Sequence, residues 1–119
     1  MISQKFRFHG HGSLKYVFQN GQSERTRHLA IKWTENRRRR HPRLAVVVSK
    51  KVFKSAVKRN RIRRRIYEAA RPLLIEAPAI DAVISVYSGE ILTMTHAELS
   101  IEVLPLLKAA GIKSTKLHE

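Results

Sequence analysis

The chain has 119 residues, a length typical of one domain with a modest hydrophobic core. Lysine and arginine number 24 against 9 acidic residues, and the resulting formal charge of +15 indicates a polyanionic partner. The absence of cysteine excludes disulfides, thiolate metal sites and cysteine nucleophiles, and it fits a reducing cytoplasm. The sequence has no apolar run of about 18 residues and no signal-peptide pattern, so neither a membrane span nor secretion is indicated.

The positive charge is concentrated in the middle of the chain. Residues 37–71 hold 15 basic residues and 1 acidic residue, whereas residues 72–119 hold 3 basic and 6 acidic residues. This gradient predicts one polyanion-binding surface with a neutral-to-acidic opposite side. We expect residues 1–119 to form a single domain that binds such a polyanion.

The N-terminal segment is predicted to be a flexible arm followed by a short helix. Residues 1–12 are basic and contain two glycines, and two histidines there lack the further ligands that a metal site needs. Ser13 can cap a helix over residues 14–20, which Gly21 can end in a left-handed conformation. The apolar residues of this helix recur at i, i+3 and i+4, and they are Leu14, Val17 and Phe18.

Two β-prone stretches follow this helix. Residues 28–34 alternate between apolar and polar side chains, as a half-buried strand does. Residues 44–49 are almost entirely apolar, which predicts a strand at the centre of a sheet. The intervening residues 37–43 are too basic and too interrupted by proline to form a regular element.

The stretch from Ser49 to Arg71 dominates the sequence, with ten lysines or arginines and a single acid, Glu68. From about Ser55 it predicts a helix that ends or kinks at Pro72. One side of this helix is an apolar stripe, which consists of Ile62, Ile66, Ala69, Ala70 and Leu73. The opposite side is predicted to present Asn60, Arg64, Tyr67 and Arg71.

A solvated helix face is the usual explanation of such a charge run, but the pattern here favours nucleic-acid binding. Pairs of arginines occur at the i, i+4 spacing, as Arg61 and Arg65 do. The repulsion in each such pair lowers the stability of the helix by about 0.2–0.5 kcal/mol. A polyanion would neutralise this repulsion. Arginine pairs bidentately with phosphate and with guanine edges.

The C-terminal third is predicted to contain one strand and one helix. Residues 82–87 form the strand, and a capping box at residues 95–98 opens the helix. Pro105 is expected to kink or divide this helix, Gly111 to end it, and residues 112–119 to form a loose tail. The apolar positions of the helix are Leu99, Val103, Leu106 and Ala110.

One ordered motif resembles the signature of the bacterial ribonuclease P protein subunit family. It runs Ser49-Lys50-Lys51, a short spacer, then Arg59-Asn60-Arg61-Ile62-Arg63-Arg64. The resemblance extends from Leu14 to about Ala110. It implies an α+β fold, an α-β sandwich of helix, strands, helix, strand and helix like a domain of a small-subunit ribosomal protein. It also implies a short strand near residues 22–25 and a left-handed βαβ crossover, where general rules favour a right-handed one.

The resemblance also implies a function. In that family the RNA subunit carries out Mg²⁺-dependent hydrolysis of precursor tRNA, and the protein binds this RNA and holds the 5′ leader of the substrate. The implied partners are ribonuclease P RNA and precursor tRNA, with neither a membrane nor a protein partner. Mg²⁺ is expected to be held by the RNA subunit and the substrate, the protein is expected to contribute no catalytic residue, and a cytoplasmic location is expected.

Two groups of site residues follow from the resemblance. Contacts with the RNA subunit are expected from Lys51, Arg59, Asn60, Arg61, Arg63, Arg64 and Arg65. A leader-binding cleft is expected to include Leu14, Phe18, Lys32, Ser49 and Lys50. An aromatic side chain such as Phe18 can stack an unpaired base for about 1–3 kcal/mol, although ordinary core packing is the alternative for this residue. Leu14 stands where many members have phenylalanine, and Lys32 where some have tyrosine.

Two other functions remain open at this level. A ribosomal or other structural RNA-binding protein would use the same kind of basic helix as a clamp, and it would co-sediment with ribosomal subunits. A stand-alone metal-dependent nuclease would cut RNA without an RNA partner. The nuclease is disfavoured because most acidic residues lie in the C-terminal third, away from the cationic stretch.

Overall fold

The computed structural model describes residues 11–35, 42–74 and 80–111. The predicted arm up to residue 10, the basic turn before Pro42 and the predicted tail lie outside the described residues. In chain order the elements are α1 (His11–Asn20), β1 (Gln22–Arg25), β2 (Leu29–Glu35), β3 (Arg43–Val48), α2 (Ala56–Leu74), β4 (Ile80–Val86), a 3₁₀ turn (Gly89–Leu92) and α3 (His96–Ala109). The predicted α+β class and order of elements are confirmed, including the short strand at residues 22–25.

The four strands form one sheet in the order β1-β2-β4-β3. The pairs β1–β2 and β2–β4 are antiparallel, whereas β3 and β4 are parallel neighbours joined through α2. This parallel connection is the predicted crossover, and its left hand stays a prediction.

The prediction that residues 44–49 form a central strand is wrong, because β3 lies at the edge of the sheet. Leu44 and Val46 are buried in the main core on one face, and Ala45 is buried beneath α1 on the other. Both faces of β3 are covered from Leu44 to Val46, which accounts for the apolar run there. The strand begins with Arg43, and Val47 borders the open part of the second face. A continuous apolar run therefore indicates coverage of both faces rather than a central position.

The two faces of the sheet are covered unequally. Helices α2 and α3 pack on one face and bury the largest core cluster, which includes Ile31, Ile62, Ile66, Ile84 and Leu99, each 0 % exposed. On the opposite face α1 packs through Val17, which contacts a small cluster with Ala45 and Val83. The rest of that second face is left open, and it provides the floor of the groove described below.

The boundaries of α1 differ from the prediction. The helix begins at His11, so Ser13 lies inside it and not at the predicted N-cap position. Gly21 follows the helix but has no positive φ, and Gly111 is the one described residue that has one, at 85°. Gly21 is needed for a different reason: a Cβ there would lie 2.5 Å from the carbonyl oxygen of Val17 and 2.9 Å from that of Trp33.

Neither proline ends its helix. Pro72 lies within the last turn of α2, where it removes a single backbone donor, and the buried Leu73 and Leu74 hold that turn on the core. Helix α3 continues undivided through the exposed Pro105. The predicted capping box is confirmed, with Glu98 N–H donating to Thr95 Oγ1 at 3.1 Å and Thr95 N–H donating to Glu98 Oε1 at 2.8 Å.

Tyr67 was predicted on the solvent side of α2, and this prediction is wrong. Its side chain is only 8 % exposed, and its hydroxyl donates to the carbonyl oxygen of Leu44 at 3.3 Å. Tyr67 lies at the flank of the apolar stripe, and its long side chain reaches back to β3. The ring adds apolar contact area while the hydroxyl keeps a hydrogen-bond partner.

A histidine held between two carboxylates links β2 to the C-terminal half of the chain. His28 Nδ1 lies 2.8 Å from Glu102 Oε1, and its Nε2 lies 2.9 Å from Glu90 Oε2. Glu102 also accepts from the Thr26 hydroxyl at 2.7 Å and from the His28 backbone N–H at 2.9 Å. The hydrogen bond with Glu102 raises the pKa of His28 above its usual value. Burial lowers this pKa, and the hydrogen bond with Glu90 raises it further.

The first prediction tests which side of α2 packs on the core. Ile66 is 0 % exposed, so Ile66→Ala should lower the free energy of unfolding by about 2–5 kcal/mol. Arg64 is exposed on the same helix, and Arg64→Ala should change it by less than about 0.5 kcal/mol. Urea unfolding of both variants makes the comparison. Equal losses in the free energy of unfolding would show that a different side of α2 packs on the core.

The second prediction concerns pH. Folding raises the pKa of His28, so protonated His28 stabilises the folded state. This contribution to the free energy of unfolding is complete below the unfolded pKa of about 6.5 and is lost as pH rises through the folded pKa. The stability difference between wild type and His28→Gln should therefore shrink between about pH 6 and pH 9. Urea titrations of both proteins across this range measure it. Because both proteins retain the other five histidines, the difference isolates His28. A constant difference would contradict the prediction.

Candidate nucleic-acid interface

The N-terminal half of α2 and the turn before it present a cationic surface to solvent. Ser55 caps the helix by accepting the backbone N–H of Lys58 at 3.3 Å. Glu68, the acid within α2, pairs with Arg71 at 3.4 Å. We call the exposed residues of this surface the cationic face, and they are Lys50, Lys51, Lys54, Lys58, Asn60, Arg61 and Arg64.

Three of the arginines predicted to bind RNA make contacts within the protein. Arg59 is partly buried and donates to the carbonyl oxygens of Phe53 and Lys54, each at 2.8 Å. Arg63 donates to the side-chain oxygen of Asn60. The guanidinium of Arg65 donates to three backbone carbonyl oxygens, those of Ile91 at 2.7 Å, Leu92 at 2.8 Å and Met94. RNA contacts by these arginines stay predictions.

The open face of the sheet forms a groove beside α1. Helix α1 covers the row of side chains that contains Val83 and Ala45. The next row across the strands is Arg25, Ala30, Ser85 and Val47, according to the pairing register. Its middle positions, Ala30 and Ser85, are small, so a ligand in the groove can approach the backbone of the sheet closely. Four strands about 4.8 Å apart make this floor roughly 14 Å long.

The groove contains two adjoining hollows. The smaller, of about 180 Å³, is lined by Phe18, Ser23, Glu24, Arg25, Ala30, Lys32, Ser85 and Tyr87. The larger, of about 650 Å³, is lined by Val47, Ser49, Lys51, Val52, Ser85, Val86, Tyr87, Ser88 and Gly89. Ser85 and Tyr87 line both hollows, so the two are neighbours along one continuous surface. Three of the predicted cleft residues, Phe18, Lys32 and Ser49, lie around this groove.

Phe18 is a wall of the smaller hollow rather than a core residue. Its side chain is 39 % exposed, whereas Val17 beside it is 0 % exposed. Lys32 Nζ donates to the Phe18 carbonyl oxygen at 3.0 Å and lies 5.9 Å from the centroid of its ring. This lysine satisfies a carbonyl of the last turn of α1, where a positive charge is favoured.

The other predicted cleft residues are placed differently. Leu14 is partly buried and packs with the Val17 cluster. Lys50 is exposed on the turn that begins at Ser49, while the next residue, Lys51, lines the larger hollow. The turn is closed by Val52 N–H, which donates to the Ser49 carbonyl oxygen at 3.1 Å.

Arg25 and Tyr87 are among the groove residues that sequence reasoning missed. Tyr87 is 54 % exposed, and the guanidinium carbon of Arg25 lies 4.6 Å from the centroid of its ring. Such a cation–π contact holds the ring against Arg25 at the edge of the groove. The alternation of side chains along β4 could have identified Tyr87. Successive residues of a strand face opposite sides of the sheet, so the residue after the buried Val86 faces away from the main core.

The part of the chain that the structure describes has neither a metal cluster nor a membrane-spanning helix. No group of three or more histidine, aspartate or glutamate side chains in residues 11–35, 42–74 and 80–111 could hold a metal ion. In the same ranges no helix is long and apolar enough to cross a bilayer.

A cationic helix next to a sheet groove that carries exposed aromatic rings defines an α+β RNA-binding protein. The family model described as Ribonuclease P matches residues 2–111. The chain therefore belongs to the ribonuclease P protein family, and the resemblance found in the sequence is confirmed. It acts in tRNA processing as the protein component of an endoribonuclease that contains ribonuclease P RNA.

Individual relatives agree with this assignment. The chain is 29% identical to the ribonuclease P protein component of Bacillus mycoides over 115 residues, which cover 97% of this chain and 99% of the relative. It is 51% identical to that of Idiomarina loihiensis over 49 residues, or 41% of this chain and 39% of the relative. These matches do not favour the ribosomal alternative.

Solved structures share the fold. The ribonuclease P protein of Staphylococcus aureus superposes with a TM-score of 0.79 at 25% identity, covering 92% of this chain and 98% of that one. The Thermotoga maritima protein gives a TM-score of 0.76 at 21% identity over 87% of this chain and 96% of that one, which shows a common fold.

The third prediction concerns the cationic face. The double substitution Arg61→Ala and Arg64→Ala should weaken binding to ribonuclease P RNA and reduce the slope of log K against log salt by roughly 0.7–0.9 per lost phosphate contact. Filter binding at several salt concentrations measures the slope. Both residues are exposed, so circular dichroism should show an unchanged fold. A folded variant with the wild-type slope would refute the assignment.

Proposed function

We propose that the cationic face binds ribonuclease P RNA and that the groove holds the single-stranded 5′ leader of precursor tRNA. In this proposal the RNA subunit carries out the hydrolysis, with Mg²⁺ held by the RNA and the substrate, and the complex acts in the cytoplasm. The observation that carries the leader assignment is the exposed ring of Phe18 above an uncovered row of the sheet, with Lys32 beside it.

The chemistry of the groove fits a single strand better than a duplex. Phe18 and Tyr87 are exposed rings at different positions of the smaller hollow, and each offers a face on which an unpaired base can stack. The floor between them is built from Ala30 and Ser85, whose small side chains let a flat base approach the sheet. Stacking on rings of this kind tolerates many base identities, which suits leaders of varied sequence.

The cations around the groove suit the backbone of the same strand. Lys32 lines the smaller hollow and Lys51 the larger one, so each hollow has an ammonium group at its edge. Ser49, also in the larger hollow, can donate its hydroxyl to a phosphate or ribose oxygen. Lys50 is exposed on the same turn and adds a charge near the entrance.

The surfaces for the two RNAs adjoin each other. The turn that starts at Ser49 leaves the edge strand β3, and it leads directly into the capped N-terminus of α2. A strand leaving the larger hollow would therefore meet the cationic face without crossing acidic surface. In this arrangement the protein would hold the leader next to the RNA subunit that cleaves it.

Reconstitution tests the proposal directly. The protein is mixed with a ribonuclease P RNA at low Mg²⁺, and removal of the 5′ leader from precursor tRNA is measured. The proposal expects faster cleavage with protein and no cleavage by the protein alone. Cutting by the protein alone would indicate a metal-dependent nuclease. No effect on cleavage, together with co-sedimentation with ribosomal subunits, would indicate a structural RNA-binding protein.

The fourth prediction tests stacking on Phe18. Phe18→Ala should weaken binding of precursor tRNA to the reconstituted holoenzyme by about 5- to 150-fold, the equivalent of 1–3 kcal/mol for one stacked base. Binding of mature tRNA, which lacks the leader, should not change. Val17→Ala in the same helix is the matched control, since it removes a buried side chain of α1 and keeps the exposed Phe18 ring. Equal weakening of both tRNAs would exclude stacking at this position.

A further inference from the structure

The segment from Ser88 to Met94 contributes one rim of the larger hollow through its first two residues, and the basic helix holds the rest of the segment in place. Ser88 and Gly89 line the hollow. The carbonyl oxygens that follow, on Ile91, Leu92 and Met94, all accept hydrogen bonds from the guanidinium of Arg65. A short 3₁₀ turn leaves its last carbonyls without partners within the turn, and the planar five-donor fork of arginine can satisfy several of them together.

The opposite rim of the hollow is also held by α2. This rim is the turn that contains Ser49, Lys51 and Val52. Arg59, near the start of α2, donates to the carbonyl oxygens of Phe53 and Lys54, which connect the turn to the helix.

Phe53 connects the two rims directly. Its ring lies against Gly89, where an added Cβ would come within 2.9 Å of ring atoms. Lys58 Nζ lies 5.3 Å from the centroid of the same ring. Both rims of the larger hollow thus depend on side chains of α2, and they meet where the Phe53 ring packs closely on Gly89.

The placement of Arg65 separates it from the cationic face. Arg61 and Arg64 are exposed, whereas Arg65 is partly buried with its guanidinium turned toward the 3₁₀ turn. The partners are also distant in sequence, since the residue numbers of the three acceptors exceed that of Arg65 by 26 to 29. Nothing in the local helical pattern therefore required an arginine at this position.

We propose that Arg65 is a positioning residue, which fixes the Ser88–Met94 rim and thereby shapes the larger hollow for the 5′ leader. This inference rests on the proposed function of the groove. It assigns to Arg65 a role different from the RNA-subunit contact that the family motif implied. In this role the fork geometry of arginine matters, and its charge alone does not suffice.

The experiment compares Arg65→Lys with Arg65→Ala in the reconstituted holoenzyme. Lysine keeps the positive charge but lacks the planar fork whose two terminal nitrogens reach the three carbonyl groups, whereas alanine removes both the charge and the fork. Both variants should bind precursor tRNA about three- to tenfold more weakly relative to mature tRNA, as expected for loss of roughly one positioned contact. Both should keep the wild-type salt slope for ribonuclease P RNA. Hydrogen exchange should also accelerate at the backbone amides of residues 88–94.

Val103→Ala controls for general destabilisation, because Val103 is buried in the α3 core away from the groove. It should lower stability and leave the ratio of precursor to mature tRNA affinity unchanged. A reduced salt slope in Arg65→Ala, restored in Arg65→Lys, would overturn the proposal and assign an RNA contact. A wild-type ratio in Arg65→Lys would also overturn it if Phe18→Ala changes that ratio. If Phe18→Ala leaves the ratio unchanged too, the leader-binding groove itself is refuted.

Discussion

Helix α2 must pack on the sheet while carrying a dense array of positive charge, and the rest of the structure depends on how this conflict is resolved. Full burial of a side chain such as Ile62 or Ile66 contributes about 1.5–3 kcal/mol, whereas each like-charge pair at the i, i+4 spacing costs about 0.2–0.5 kcal/mol. The apolar stripe therefore outweighs the repulsion by several-fold. The helix can stay folded without RNA and still present unneutralised cations to a polyanion.

The same helix divides its cations between the fold and the solvent. Arg59 and Arg65, on the flanks of the stripe, hydrogen-bond to carbonyl groups of neighbouring loops. Arg61 and Arg64 point to solvent and remain available to phosphate groups. Because the flanking arginines hold the rims of the groove, the surface proposed for the RNA subunit and the surface proposed for the leader share one rigid element.

The groove itself exists because α1 is short and covers one row of the sheet. The close approach of Gly21 to the carbonyl oxygens of Val17 and Trp33 sets α1 tightly against the sheet. The neighbouring row, with Ala30 and Ser85, remains open. On the other face of the sheet, His28 ties β2 to α3 through Glu102. The closed face thus supplies stability, and the open face supplies a binding surface.

The sequence by itself determined the features that depend on neighbours a few residues apart. The stripe through Ile62 and Ile66, the capping box before α3 and the cationic character of α2 were all predictable, because periodicity and capping act within a turn or two of helix. Only the tertiary structure decided that β3 lies at an edge, that Tyr67 is buried, and that Arg65 serves the rim of the groove. Each of these depends on a partner at least 20 residues away, such as Leu44 for Tyr67 or Ile91 for Arg65. Short-range patterns carry no information about such partners, since the chain brings them together only when the sheet and helices pack.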